Sequence, residues 1–470
     1  MSAVTAPDGP RIHQPLLVWS ATTAVAVLTA AALVAIKGRH GAAELLRVGP
    51  LSDLNVTLLS VALTWGLGGL LALLLARGRL HRGNALEAIG FFAIAFLYLN
   101  VLRERGVYGD VQDYFLAARN LARGEPLHAR YLYPPFWATV LRPFVFLGEK
   151  LVFDLCWLLN VVSLGAFYFL LRLSLRRYAL NGAAATLATF FFMVANVPIL
   201  RSLGYTQVNL HVVNLIFIFL LAYPRARALS ALALALAAHF KVSPMLLAGL
   251  ILLSRDWRWL VWFVVWLAAI GAATVAVSGV APYHDFLHNL GNVYQANGLT
   301  FRDNSVDSWV RGTALLLGLG DGLIAPLVLV GKALIAALAV SAAVRTVRAR
   351  TFTGEGTPST EALLWNALPP TLVLMQMMSP LVWEHHAVFA ALPYLVTAAA
   401  LTSVGQWSIF GLAYLLEYLL PTFGFFPFSY GRLVSPLLLL GLMIAASADR
   451  TGPRALVAIN RWTASHLPSA

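Results

Sequence analysis

Long apolar runs recur along the whole chain, and no other feature of the sequence constrains its fold as strongly. Of its 470 residues, 60% are hydrophobic and only 11% are charged, whereas a typical soluble domain has about 25% charged residues. An apolar run of roughly 18 or more residues can cross a bilayer as a helix, which satisfies its own backbone hydrogen bonds in lipid. The sequence therefore predicts an all-α, polytopic transmembrane protein with about 12–14 helices.

Two of the predicted spans, 228–241 and 244–254, are short. Pro244 interrupts a helix between them, so we interpret them as two halves of a broken helix that meet at HFKVSP. The predicted spans, by residue number, are 16–36, 57–76, 85–102, 151–173, 183–200, 208–222, 228–241, 244–254, 257–277, 324–344, 361–378, 387–402, 405–421 and 433–447.

Clusters of arginine between the apolar runs, such as those at 77–82 and 172–177, predict the orientation of the helices. Cytoplasmic loops carry an excess of Lys and Arg, so we place these clusters and both termini inside. The number of membrane crossings then agrees with this orientation only if segment 134–148 does not span the membrane. Its length and its internal Arg142 and Pro143 favour an interfacial or re-entrant helix.

This topology leaves two long outer loops, at about 103–150 and 280–321, which contain many of the unusual polar residues. We predict an N-terminal helical pair at 1–84 and a transmembrane catalytic domain at 85–470. The first apolar run is longer than the apolar core of a typical signal peptide, so we expect an anchor there.

The net charge of +13 does not indicate a nucleic-acid partner, because the arginines lie in short loops between spans, as in other membrane proteins. Cys156 is the one cysteine, so it forms no disulfide within the chain and has no cysteine partner for a structural zinc site. We expect membrane lipid to surround the protein.

The stretch VYGDVQDYFLAARN places two acids, Asp110 and Asp113, just after a predicted span. A helix N-cap explains one of them, most naturally Asp113, because an alanine-rich helix follows. It does not explain Asp110, which lies nearer the bilayer, where an acid is costly unless it has a function. Asp110 is therefore a candidate catalytic residue.

Four further motifs place polar residues at predicted outer helix ends, and each has a structural and a functional interpretation. The tyrosines of YLYPPF fit an interfacial aromatic belt. The amides of TQVN fit either bonds between helices or a ligand. A lysine in HFKVSP can extend to the interface or bind an anion. In SPLVWEHH, the adjacent histidines point about 100° apart on a helix, unlike an i,i+4 metal pair, so we expect no metal there.

Taken in chain order, these motifs resemble those of glycosyltransferase family 87, which are polytopic enzymes of the GT-C type. The matching stretches are GDVQDYFLAARNLARGEPLH, YLYPPFWATVLRPF, YTQVN, KVSP and SPLVWEHH, and the resemblance covers roughly residues 85 to 447. In the family's pattern an acid precedes a Tyr-aromatic pair by four residues, which places the catalytic acid at Asp110. Glu384 departs from the family's aspartate, and the helical pair before residue 85 is an addition.

The resemblance implies a GT-C fold and transfer of a sugar, mannose or a relative, from a polyprenyl phosphate sugar donor to a glycolipid or glycan acceptor. It implies an active site on the extracytoplasmic side of the cell membrane, inversion with Asp110 as general base, and no cofactor. A membrane transporter, a lipid-linked glycan ligase and a non-catalytic lipid-binding protein are the alternatives. The substrate-binding residues that it implies are Tyr114, Gln207, Asn209, Lys241, Trp383, Glu384, His385 and His386.

Overall fold

The computed structural model describes Ala24, Leu28 and residues 109–448, except 179, 195, 295–298, 300–302, 352–358 and 420–427. The spans predicted at 57–76 and 85–102 lie outside the described residues. So do the rest of the span 16–36 and of the N-terminal pair at 1–84, apart from Ala24 and Leu28.

The described residues form helices joined by short turns, with no strand among them. Shorter 3-10 segments continue several helices, at Arg142–Leu147, Ser243–Leu247, Asp321–Leu323, Glu384–Ala390 and Phe428–Tyr430, and a π-helical turn covers Leu415–Leu419. The α-helices are α1 (Asp110–Arg123), α2 (Phe136–Leu141), α3 (Glu149–Arg177), α4 (Gly182–Val194), α5 (Val197–Gly204), α6 (Asn209–Ala222), α7 (Arg227–Phe240), α8 (Ala248–Leu253), α9 (Trp257–Ser278), α10 (Ala281–Gly291), α11 (Val306–Leu317), α12 (Ile324–Ala349), α13 (Thr360–Met377), α14 (Ala391–Ala400), α15 (Val404–Tyr414) and α16 (Gly431–Ala448).

Four helical stretches within the described residues are long and apolar enough to cross a membrane, which confirms an all-α polytopic membrane protein. They are Glu149–Arg177, Trp257–Ser278, Asp321–Ala349 and Gly431–Ala448. The pair α5 and α6 passes the same test together but is bent by 116°.

The prediction of one continuous span at 183–200 is wrong, because α4 ends at Val194 and α5 begins at Val197. Asn196 caps the new helix, and its side chain accepts a hydrogen bond from the backbone N–H of Ile199 at 2.8 Å. Pro198 in the first turn of α5 suits a helix start, since proline there removes no helical hydrogen bond.

The predicted break at HFKVSP is confirmed, because α7 ends at Phe240 and Lys241 has extended backbone angles. Segment 134–148 forms α2 and a 3-10 turn, Arg142–Leu147, that together are shorter than the 18 residues of a candidate span. Both interruptions leave polar side chains at helix ends instead of within continuous helices.

The amphipathic helix α1 positions the first acid. Val111, Tyr114, Ala118 and Leu121 recur at helical spacing and are buried, so one face of α1 packs on α2 and α3 while the other stays polar. Packing of this face holds the first turn of α1 next to the turn between α5 and α6.

Gly109, the residue before α1, allows this close approach. Its φ of +83° is in a region that other residues rarely adopt, and a Cβ there would lie 2.6 Å from the Tyr205 ring and 3.0 Å from the Tyr205 Cα. The contact between α1 and the α5–α6 turn therefore requires glycine at this position.

We expect Gly109→Ala to lower the melting temperature of the purified protein more than Gly124→Ala does. Gly124 also has a positive φ, of +72°, but a Cβ there would meet nothing within 4 Å. Backbone strain alone costs about 1–3 kcal/mol, and the Gly109 variant adds the collision with Tyr205. Equal losses in the two variants would contradict this packing.

Candidate active site

Asp110 is the first residue of α1 and is partly buried. Its Oδ2 accepts a hydrogen bond from the Tyr133 hydroxyl at 3.0 Å. Burial raises the pKa of Asp110 to about 7; the Tyr133 hydrogen bond and the charges of Lys241 and Arg130 oppose that rise, and Asp113 adds to it. A carboxyl with a pKa near neutral exchanges protons readily at physiological pH, as a general base must.

The prediction that Asp113 caps α1 is wrong. The helix begins three residues earlier, Gly109 occupies the N-cap position, and no side chain caps the helix. Asp113 Oδ1 instead accepts a hydrogen bond from Arg130 Nη2 at 3.0 Å and lies 3.8 Å from His128 Nε2. Asp113 therefore ties α1 to the loop that leads to Tyr133.

Two tyrosine hydroxyls converge on the amide of Gln207. The hydroxyls of Tyr114 and Tyr133 each lie 3.2 Å from Gln207 Oε1. Gln207 is fully buried and follows Thr206, whose φ of +53° turns the chain sharply between α5 and α6. The YLYPPF tyrosines thus have interior roles as well: Tyr133 contacts Asp110, and Tyr131 bonds to the backbone of Pro134.

Lys241, at the break after α7, forms the second half of the site. Its Nζ donates to Asn209 Oδ1 at 3.2 Å and contacts His386 Nε2. Asn209 Nδ2 in turn donates to the His385 carbonyl at 3.1 Å, and the backbone N–H of Trp383 lies 2.9 Å from His386 Nδ1. The cation, the amide and the histidine pair are thus one connected group.

Glu384 occupies a different environment from its neighbours in the motif. Its two oxygens accept hydrogen bonds from Arg201 Nε at 2.8 Å and from Arg432 Nη1 at 3.3 Å, and all three side chains are buried. That Glu384 binds a sugar hydroxyl stays a prediction, since in the structure both oxygens are engaged by arginine.

The structure therefore brings together Asp110, Tyr114, Gln207, Asn209, Lys241 and His386 from four distant parts of the chain. Trp383 and His385 lie at the edge of the same cluster, with the His385 and His386 rings 4.8 Å apart. Within the described part of the chain, no group of three or more His, Cys, Asp or Glu side chains is placed to hold a metal ion.

Comparison with known protein families gives a match to glycosyltransferase family 87 over residues 131–380, more than half of the chain. The chain belongs to glycosyltransferase family 87. It is accordingly a membrane glycosyltransferase, which sets aside the transporter and the non-catalytic alternatives. No curated protein and no solved structure matches the chain.

The family match includes Tyr133, Gln207, Asn209 and Lys241, but Asp110 lies before it and Glu384, His385 and His386 lie after it. In the glycosyltransferase, the hydrogen bond from Tyr133 to Asp110 and the contact between Lys241 and His386 connect residues outside the matched region to those inside it. The site is thus continuous across both boundaries of the match.

Sequence reasoning missed two buried arginines, Arg201 and Arg432, and the acid Asp303. Arg201 interrupts the apolar stretch VPILRSLG, and a charge within such a stretch indicates a functional or paired residue. Asp303 Oδ1 accepts hydrogen bonds from the backbone N–H groups of Val382 at 2.7 Å and Ser305 at 3.0 Å. These bonds hold the residues just before α11 against the Trp383 motif. No motif marked Asp303.

We expect Glu384→Gln to lower the stability of this family 87 enzyme by about 3–5 kcal/mol, because it leaves two buried arginines without their shared counter-charge. Glu361→Gln is the matched control. Glu361 is partly exposed and lies 3.6 Å from Arg177, a type of pair that contributes about 0–1 kcal/mol. The stability of both variants is compared by thermal unfolding in the same detergent. A similar loss of stability in the two variants would contradict the structural role of Glu384.

Proposed function

We propose that this glycosyltransferase transfers mannose from a polyprenyl phosphate sugar to a glycolipid or glycan acceptor at the extracytoplasmic face of the cell membrane. The observation that carries the proposal is that Asp110 and Lys241 belong to one cluster, in which Tyr133 joins Asp110 to Gln207 and Lys241 bonds to Asn209, two residues further on. Burial lowers the pKa of Lys241 to about 7, and the negative charge of Asp110 opposes that fall and favours the ammonium form. Sugar transfer from a lipid phosphate requires both a base and a cation.

Asp110 acts as the general base in this mechanism. It removes the proton from the acceptor hydroxyl as the acceptor oxygen forms a bond to the anomeric carbon, and the bond from that carbon to the phosphate oxygen breaks. A single displacement of this kind inverts the configuration of the sugar. The raised pKa of Asp110 supports this role, since a base near neutral pH combines ionisation with proton affinity.

Lys241, together with Asn209 and His386, stabilises the departing polyprenyl phosphate. Negative charge grows on the phosphate oxygen as its bond to the sugar breaks, and a fixed cation in a partly buried site stabilises that charge. Asn209 and His386 hold the Lys241 ammonium group in place. His385 lies beside this group and provides a further polar side chain for the phosphate.

The remaining polar residues fit recognition of the sugar. Gln207 Nε2 is buried without a hydrogen-bond partner, so its two N–H groups can donate to sugar hydroxyls. Trp383 is partly exposed and offers a ring surface on which a sugar can stack. Tyr114, which donates to Gln207 Oε1, orients that amide.

A lipid-linked donor follows from the proposed location of the site. Nucleotide sugars are cytoplasmic, whereas the head group of a polyprenyl phosphate sugar reaches the outer interface while its tail stays in the bilayer. To test this donor, purified protein is given radiolabelled polyprenyl phosphate mannose and a lipid extract, and labelled products are separated. Label transfer from polyprenyl phosphate mannose is expected; transfer from a nucleotide sugar instead would overturn the donor assignment.

We expect substitutions of the two aspartates in α1 to have different effects on turnover. Asp110→Asn keeps the size of the side chain but cannot accept a proton, and losing a general base typically slows a reaction about 10²–10⁴-fold. Asp113→Asn removes an ion pair with Arg130 that is partly exposed, so most activity should remain. The turnover of the two variants is measured at matched protein concentration. If the Asp113 variant is inactive and the Asp110 variant is active, the base is Asp113.

Activity should depend on the ionisation of Asp110. Because the pKa of Asp110 is raised to about 7, its base form is lost as the pH falls, and kcat/KM should drop about tenfold per pH unit below that value. In Asp113→Asn the drop should begin at a lower pH, since the Asp113 charge raises the pKa of Asp110. A profile flat from pH 5 to 8 would exclude Asp110 as the base.

The loop between α1 and α2 should face outward. Ala129 is exposed in that loop, and Arg225 is exposed in the turn between α6 and α7, at the opposite end of both helices from Lys241. A membrane-impermeant thiol reagent on intact cells should label Ala129→Cys but not Arg225→Cys. Cys156 is buried and gives little background. The reverse labelling pattern would overturn the orientation.

A further inference from the structure

The Tyr133 hydroxyl lies between two acceptors that belong to different parts of the site. It is 3.0 Å from Asp110 Oδ2 and 3.2 Å from Gln207 Oε1. Burial raises the pKa of the Tyr133 phenol well above its ordinary value, so the group keeps its proton. A phenol has one proton to donate and can also accept. One proton therefore serves two acceptors, and only one of them can receive it at a time.

The charge on Asp110 decides which acceptor receives the proton. While Asp110 is ionised, a bond to the carboxylate is the stronger one, since charge-assisted hydrogen bonds are about twice as strong as neutral ones. Gln207 Oε1 still has the Tyr114 hydroxyl as a donor at 3.2 Å. Once Asp110 is protonated, it can donate to the Tyr133 oxygen, and the Tyr133 proton becomes available to Gln207.

We propose that Tyr133 is a positioning residue that rotates its hydroxyl from Asp110 to Gln207 when Asp110 takes the proton of the acceptor. This inference rests on the proposed function of Asp110 as general base. It adds a residue that holds the base in both of its protonation states and that connects the base to the amide proposed to bind the sugar.

Every proton has a place in this exchange. The acceptor oxygen gives its proton to Asp110 and forms the bond to the sugar, and the polyprenyl phosphate leaves with the electron pair of the broken bond. Asp110 then donates a hydrogen bond to Tyr133, and Tyr133 donates to Gln207. Tyr133 gains and loses no proton, so the step is a change of hydrogen-bond direction alone.

Other charges near Asp110 act differently. Asp113 on the same helix disfavours the ionised form, whereas Arg130 in the following loop and Lys241 at the end of α7 favour it. These charges shift the balance between the two forms of Asp110. Tyr133 is placed to bond to both forms, because its oxygen can donate to a carboxylate and accept from a carboxylic acid.

The test compares Tyr133→Phe with Tyr131→Phe. Tyr131 is a buried tyrosine two residues away whose hydroxyl bonds to the Pro134 carbonyl and the Ala138 N–H, so its variant is the control for loss of a buried hydroxyl. Loss of the charge-assisted bond should move the acidic limb of the kcat/KM profile up by about one pH unit in Tyr133→Phe. The limb should stay in place in Tyr131→Phe.

A second measurement does not depend on turnover. The infrared carbonyl band of protonated Asp110, identified by its loss in Asp110→Asn, is titrated without substrate. Its midpoint should rise in Tyr133→Phe and fall in Gln207→Leu, which takes away the alternative acceptor and leaves the Tyr133 proton committed to the ionised carboxylate. Opposite shifts support the exchange.

Two results would overturn the inference: an unmoved midpoint in Tyr133→Phe, or shifts of the same sign in both variants. Should Tyr133→Phe not fold, a midpoint in Gln207→Leu that stays or rises is sufficient to reject it. Failure of the proposed function has a different signature, which is absence of sugar transfer by the unmodified protein or full activity of Asp110→Asn.

Discussion

The site depends on a carboxyl group that is partly buried at the start of a helix and held by one phenol. Removing a carboxylate from water is costly unless partners compensate, and burial is the largest influence on the pKa of Asp110. The Tyr133 hydroxyl and the positive charge of Lys241 offset part of that cost. Had a guanidinium replaced the phenol, the ionised form would be favoured more strongly, and the group would be a weaker base.

Interrupted helices make this arrangement possible. Continuous helices would place polar side chains along the bilayer, whereas the breaks before α6 and after α7 bring Gln207, Asn209 and Lys241 to helix ends. The segment Glu384–Ala390 completes the cluster and packs on α5. Each break is fixed locally, by the positive φ of Thr206 before α6 and by the extended backbone of Lys241 after α7. The same breaks therefore create the site and keep its charges away from lipid.

Much of the fold could be predicted because apolar length is a strong signal in membrane proteins. The helices α3, α9 and α12 lie close to their predicted bounds, and the break at Lys241 follows from Pro244. The start of α1 could not be predicted, since Asp110 and Asp113 suit an N-cap equally well, whereas the N-cap is Gly109, which packs against Tyr205. The hydrogen bond from Tyr133 to Asp110 could not be predicted either, because an interfacial tyrosine and a tyrosine bonded to an acid look the same in sequence.

A comparison with Glu384 shows why Asp110 is suited to accept a proton. Glu384 accepts hydrogen bonds from two buried arginines, Arg201 and Arg432. Arginine has donors but no acceptor, so a proton on Glu384 would leave a buried donor without its partner. Asp110 has a neutral phenol that can donate to it or accept from it. An acid held in this way can gain a proton without leaving an unpaired donor behind, which is the property that a general base needs.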